Sequence, residues 1–476
     1  MCAELEFRRS RVEQNYSLLA AKRRKNAAHG ASLGKRWEAD EPQRGERPVL
    51  THALQGCACA LLPGEWWTST CKFRHHDSRF ETTGAEANTS WISSKRLMGI
   101  AGPYAVAEEK SSLPATMLAA VYRGVNDVRV ETVPVPIIGP GELLLRVHTC
   151  GVCGTDLKKI ATGSHSAPRI FGHETSGVVA AVGEGVRDFR PGDRVVVFHH
   201  IPCRECYYCR HKTFAQCQTY KKVGCTAGFE ASGGGFAEYV RVMDWIVQHG
   251  TVRIPSGISF EQACFVEPVN TCMKGIEALR PEPGETALVI GQGPIGIILS
   301  VLAKRAGATV ITSDLYPERL KIGESFGLTL TMDASRTNVV GHARELTEGR
   351  GADAVILAVG SNSLIRSAMD AARPGGRVLL FAQTQHGEAV VDPASICVDE
   401  KALIGSYSAS VDLQEDSVRF VMSGEMNLER LISHRFPLSE GRQALDLAGH
   451  PQPSSMKIVI QPGSAWGRNA WEGTAQ

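Results

Sequence analysis

A chain of 476 residues, 43% of them apolar, holds enough material for two or three domains with cores of their own, and a formal net charge of +2 gives no basis for a nucleic-acid partner. No stretch approaches the run of about 18 apolar residues that a membrane span needs, so no membrane association is expected. The 14 cysteines cluster in metal-like spacings instead of being spread as a disulfide framework, which points to a reducing, cytoplasmic setting.

Residues 1–116 carry basic clusters such as Lys22-Arg23-Arg24-Lys25 and the tryptophans Trp37, Trp66, Trp67 and Trp91, but no sustained helical or strand period. They read as a disordered extension, or as upstream sequence translated from a misplaced start, with the functional chain opening at Met117. From there the pattern becomes orderly. Leu118 to Tyr122 and Val128 to Val130 read as paired strands, Pro134 to Pro140 as a loop, and Glu142 to Val147 as the next strand.

That strand leads into Cys153-Gly154-Thr155-Asp156, followed by Gly172-His173-Glu174-x-x-Gly177-x5-Gly183. A thiolate, an imidazole and an adjacent carboxylate on glycine-rich loops suit a catalytic zinc with an open coordination position. In a regular strand residues 173 and 174 would point to opposite faces, so joint ligation requires irregular backbone there. The Thr155 hydroxyl, two residues after the thiolate, can take a proton from a substrate alcohol; the alternative is a turn-capping hydroxyl. Asp156 is expected to orient His173 through its other ring nitrogen. Cys150 reads as a small packed residue.

Val178 to Val197 alternates apolar residues with tight turns, as strands of a small β-barrel would. Cys203-x2-Cys206-x2-Cys209-x7-Cys217 then places four thiolates in one short polar loop, enough to close a tetrahedral shell around a structural zinc that orders the loop. Further on, Thr286 to Ile290 is an apolar strand, Gly291-Gln292-Gly293-Pro294-Ile295-Gly296 a G-x-G-x-x-G turn, and Ile297 to Arg305 the helix it opens. A second strand, Thr309 to Ser313, ends at Asp314. In this context the turn is a dinucleotide fingerprint, with pyrophosphate at the helix N-terminus and Asp314 accepting from the ribose hydroxyls, which favours NAD over NADP. Asp314 as an ordinary helix cap is the alternative. Strands and helices continue to alternate up to Leu403-Ile404-Gly405, as a doubly wound parallel sheet requires. Helix returns after about residue 410, and the chain finishes in the strand-like Lys457 to Ile460.

The two metal motifs resemble those of the zinc-dependent medium-chain dehydrogenases, and the resemblance runs from about Met117 to about Pro462. It implies an α/β architecture: a GroES-like β-barrel catalytic domain over residues 117–270, completed by 410–462, and a Rossmann NAD-binding domain over 271–409. Residues 463–476 are expected to be a disordered tail. Alcohol dehydrogenases of the family have a cysteine as third catalytic ligand where this chain has Glu267, which resembles the polyol and threonine dehydrogenase branch. Glu174 is the first choice for that ligand, with Glu267 a close alternate. Arg319 takes a family-like place near the adenosine. Where relatives of this branch commonly carry a histidine two residues after the aspartate, this chain has Lys158, a poor proton shuttle that would bind a polar or anionic substrate group or simply lie in solvent.

The activity implied is zinc-dependent, NAD-linked oxidation of a secondary alcohol, a polyol or sugar alcohol, to a ketone. L-threonine 3-dehydrogenase is the alternative, and a non-catalytic nucleotide-binding protein a more distant one. The expected partners are a small-molecule alcohol and further copies of the chain, as a dimer or tetramer.

Overall fold

The computed structural model describes residues 113–465, apart from residue 223 and residues 383–386. The extension expected over residues 1–116 therefore lies outside the described residues except for its last few. Those few belong to the fold: Thr116 pairs with Pro134, and Val135 N–H donates to Ala115 O at 3.1 Å, so the ordered backbone begins before Met117.

Strands β1 (Thr116–Gly124) and β2 (Asp127–Pro134) form an antiparallel hairpin. The organising strand of the first half is β3 (Leu143–Gly151), which leads into helix α1 (Gly154–Thr162). Leu143, Leu144, Leu145 and Val147 are buried on both of its faces, the mark of a strand inside a closed or curled sheet. After β4 (Arg169–Ile170), which pairs with β1, come β5 (Glu174–Val182), β6 (Arg194–Phe198), β7 (Cys225–Thr226), β8 (Tyr239–Val242) and β9 (Thr251–Arg253). Register shifts between Leu144 and Leu145 and between Val147 and Thr149 bend β3 where it pairs with β5, and such bulges are how a sheet curls towards a barrel.

A helix, α2 (Val266–Leu279), then carries the chain to a six-stranded parallel sheet. Its strands are β10 (Thr286–Ile290), β11 (Thr309–Asp314), β12 (Leu330–Asp333), β13 (Ala352–Leu357), β14 (Ala372–Leu380) and β15 (Ala402–Gly405), and helix α3 (Pro294–Arg305) follows β10. Their spatial order, β12-β11-β10-β13-β14-β15, is that of a doubly wound dinucleotide-binding sheet, whose ligand crevice opens beyond the carboxyl ends of β10 and β13. A bulge interrupts β14 at Pro374-Gly375-Gly376, where residues 372 to 377 pass opposite residues 352 to 354 of β13.

The last strands, β16 (Ile432–Pro437) and β17 (Lys457–Gln461), return to the first sheet, where Val459 and Ile460 pair with Gly151 and Cys150 of β3. Disorder from residue 463 does not hold for the first residues of the tail, because Pro462–Ala465 form a 3-10 turn behind β17; the rest lies outside the described residues. Among the described residues, no helix is long and apolar enough to cross a membrane.

Candidate active site and metal centres

The site is built where β3 ends. Cys153 caps α1, its Sγ accepting the Thr155 N–H at 3.5 Å, and the first turn of that helix buries Asp156 completely. Asp156 Oδ1 lies 3.0 Å from His173 Nδ1. With Nδ1 engaged, Nε2 is the nitrogen left to face a metal. Burial alone would raise the Asp156 carboxyl, but the imidazole beside it outweighs burial and holds it below its ordinary value. Burial likewise opposes charge on His173, yet Asp156 and Cys153 push it well above its usual value, so the surroundings favour a positive charge at this point.

His173 and Glu174 converge because the backbone ahead of them is irregular. Gly172 has φ of 95° and leaves no room for a side chain, since a Cβ would come within 2.9 Å of Cys150 Sγ. The turn delivers His173 just before β5 begins at Glu174. The Glu174 carboxylate is 2% exposed and ion-paired with Lys457, whose ammonium also donates to Val152 O at 3.0 Å. Gly151 makes the space, because a Cβ there would overlap Glu174 Oε2.

Donor atoms of Cys153, His173 and Glu174 all lie within 4.8 Å of one another. A second buried group, His173, His199 and Glu267, meets the same limit, so His173 is common to both. One thiolate, one imidazole with its far nitrogen tied to a carboxylate, and one carboxylate is a donor set that fits catalytic zinc; Glu174 stands with Cys153 and His173, whereas Glu267 meets them through His173. Glu267 sits in the first turn of α2, and burial pushes its carboxyl up to about 7, with Glu174 adding to the rise and His173 opposing it. His199 follows the end of β6; its ring lies 4.6 Å from that of His173 and 4.0 Å from that of His200, and burial holds it neutral. Sequence reasoning missed His199 and Lys457. The His199-His200 pair ahead of Cys203 was a signal for the first; nothing local marks Lys457.

The four-cysteine loop closes on itself. Cys203 Sγ is 3.9 Å from Cys209 Sγ and 3.6 Å from Cys217 Sγ, and Cys206 Sγ is 3.5 Å from Cys209 Sγ. Four sulfurs at such separations, with no position left open, fit a tetrahedral structural zinc.

In the nucleotide half the three glycines differ in what surrounds them. Gly291 takes φ of 97° and its N–H donates to Ser313 O at 2.7 Å, so it makes the turn from β10. A Cβ at Gly293 would meet nothing within 4 Å, leaving room for a ligand to approach the backbone, whereas one at Gly296 would overlap Gly291 O. Gly293 caps α3 and Pro294 opens it, so the N–H groups beyond are aimed at that open space. Asp314 ends β11, Oδ2 accepting the Gln292 N–H at 2.6 Å and Oδ1 the Tyr316 N–H at 2.9 Å. Arg319 lies over the Tyr316 ring at 4.9 Å. This cradle fits a dinucleotide.

A cavity of 1910 Å³ joins the two halves. Cys153, Thr155, Lys158, His173, Glu174, His199 and Glu267 line it from the first half, and Ile295, Ala358, Gly360 and Phe381 from the second. Of the expected cofactor residues only Ile295 reaches it, the others lying around the turns after β10 and β11. Thr271 and Lys274 continue the face of α2 begun by Glu267, and Lys274 Nζ donates to Tyr407 O at 2.7 Å.

Residues 139–255 match the alcohol dehydrogenase GroES-like domain, and residues 294–423 the zinc-binding dehydrogenase domain. D-arabinitol dehydrogenase 1 of Uromyces fabae is 30% identical over 358 residues, covering 74% of this chain and 99% of that protein. Sorbitol dehydrogenase of Bombyx mori is 31% identical over 353 residues, covering 72% and 97%. The chain belongs to the zinc-binding alcohol dehydrogenase family. Among solved structures, a zinc-binding dehydrogenase of Sinorhizobium meliloti bound to NADP superposes with a TM-score of 0.66 at 29% identity, covering 73% of this chain and 100% of that one. As a member of this family the protein is a zinc-dependent dehydrogenase that works with a nicotinamide dinucleotide.

Proposed function

We propose that the protein oxidises a secondary alcohol of a polyol or sugar alcohol to the ketone, with NAD as hydride acceptor. The observation that carries this reading is the single cavity in which Cys153, His173 and Glu174 meet Ile295 at the head of the dinucleotide helix. Zinc bound by those three residues would act as a Lewis acid on the alcohol oxygen. Asp156 holds the His173 ring in the tautomer that leaves Nε2 free, and Lys457 fixes the Glu174 carboxylate. Thr155, at the cavity wall beside Cys153, accepts the hydroxyl proton and hands it outward. Asp314 supports NAD over NADP, since a carboxylate at the end of β11 repels a ribose phosphate. Lys158 lines the same cavity and serves a polar substrate group.

The polyol reading is favoured over L-threonine oxidation by the arabinitol and sorbitol dehydrogenases among the relatives. We place the activity in the cytosol, consistent with described cysteines that are all free. The edge strand β15, with Leu403 exposed and Val390 and Val398 exposed before it, supports a homo-oligomer formed across that edge.

A panel of sorbitol, xylitol, galactitol, myo-inositol and L-threonine, followed through NADH with zinc measured on the same preparation, tests the reading. Turnover of a polyol with about two zinc ions per chain supports it. Exclusive turnover of L-threonine, or no turnover with zinc bound, would overturn it.

A further inference from the structure

Lys274 takes no part in the chemistry described above, yet it stands in the wall of the same cavity. It shares a face of α2 with Glu267 and Thr271, and seven residues at about 1.5 Å each set it about 10 Å along the helix from Glu267. Cys272, two residues before it, brings its Sγ to 4.0 Å from Ile295 O, so the head of the dinucleotide helix packs on this same stretch. Lys274 is half-buried, and its Nζ donates to a neutral partner, Tyr407 O, at 2.7 Å. Among the described residues no carboxylate pairs with it; Glu277, the next acid along α2, is exposed, and Glu174 and Glu267 belong with the metal. Burial lowers the Lys274 pKa and Glu277 opposes the fall, from an ordinary value of 10.5. A group that starts so far above neutrality keeps its proton at pH 7.

The nicotinamide ring has to sit between Ile295 and the metal group, since hydride passes to its C4 from an alcohol held at Cys153 and His173. Oxidised, that ring carries a positive charge; once hydride has added it is neutral, the proton of the alcohol having left separately. A fixed cation on this wall therefore opposes the oxidised ring and not the reduced one. At the effective dielectric of a protein cleft, like charges about 10 Å apart disfavour each other by roughly tenfold in binding. The pull of Lys274 on the two phosphates is common to both forms and cancels from their ratio.

We propose that the charge of Lys274 sets the preference of this protein for reduced over oxidised dinucleotide, making bound NAD a stronger hydride acceptor and NADH slow to leave. This rests on the dehydrogenase reading and on the place it gives the nicotinamide ring.

The test is a fluorescence titration of the zinc-loaded full chain with NADH, with NAD and ADP-ribose measured by displacement. The wild type should hold NADH more tightly than NAD by at least about tenfold. Lys274→Met and Lys274→Gln, which drop the charge, should each narrow that ratio about tenfold, and Lys274→Arg should keep it. Melting curves of the two neutral variants separate the lost charge from any loss of fold. If NADH, NAD and ADP-ribose all weaken by one common factor, Lys274 serves the phosphates and the proposal is overturned. A wild-type ratio near one, or a ratio that neither neutral variant moves, overturns it as well. Each of these results leaves the dehydrogenase reading standing, because NADH still binds. A wild type that binds neither NADH nor NAD would overturn both readings.

Discussion

Asp156 Oδ1 lies 3.0 Å from Nδ1 of His173, and the carboxylate that makes this contact is wholly buried. One turn of helix α1 thus decides which nitrogen of a residue on a separate loop faces the cavity. Asp156→Asn keeps the shape and removes the charge. It should weaken binding of the exchangeable zinc by about tenfold to a hundredfold, read by chelator competition, while the four-cysteine zinc stays in place.

The ion pair between Lys457 and Glu174 ties the final strand to the site. Lys457→Met would leave a buried carboxylate without its counter-charge and should cost about 3 to 5 kcal/mol in urea unfolding. Adding Glu174→Gln should return much of that stability, without restoring metal affinity, because the pair is worth little more than its neutral replacement. If the single and double variants unfold alike, the pair is not what holds β17.

His148 stacks on Phe260 with ring centroids 4.3 Å apart, and burial lowers its pKa from 6.5 to about 4. The folded state therefore resists the proton that the unfolded chain accepts. Its contribution is whole above about pH 6.5, falls as pH drops, and is gone below about pH 4, a loss of up to about 3 kcal/mol. His148→Gln should flatten that part of the stability curve when urea midpoints are compared at pH 7 and pH 4.5.

Gly293 and Gly296 should respond differently to alanine. Gly293→Ala has open space around it, so the melting temperature should hold while NADH binding, followed by fluorescence, weakens. Gly296→Ala would press on Gly291 O and should destabilise the fold by about 1 to 3 kcal/mol before any ligand is added. Equal effects of the two on melting would contradict the division of labour around the turn.

Much of this was readable before the fold, where function is written in local spacing. The apolar run at Thr286 to Ile290, the glycines after it and Asp314 at the end of the next strand lie within thirty or so residues, and β10, α3 and β11 follow them closely. The cysteine loop was plain for the same reason. Lys457 was not, since it reaches Glu174 only because the last strand crosses back to β3, and no periodicity encodes that return. His199 was hidden otherwise: a histidine at a strand end has many uses, and only its 4.6 Å approach to the His173 ring gives it one. The choice between Glu174 and Glu267 stayed open for a related reason, as the two come from different elements and meet only at His173.

The four-cysteine loop also forms part of the cavity wall: Lys212, Thr213, Ala215, Gln216 and Tyr220 all face it, and Tyr220 OH is bonded to Ser408 Oγ at 2.7 Å. Part of the cavity's surface is therefore carried on a piece of chain separate from Cys153 and His173. Between Cys209 and Cys217, Phe214 and Ala215 pack among the cysteines, whereas Lys212, Thr213 and Gln216 are exposed and can change while the anchoring sulfurs keep their places. A lineage can reshape that stretch of the wall by rewriting three exposed residues on a frame that the four sulfurs pin in place.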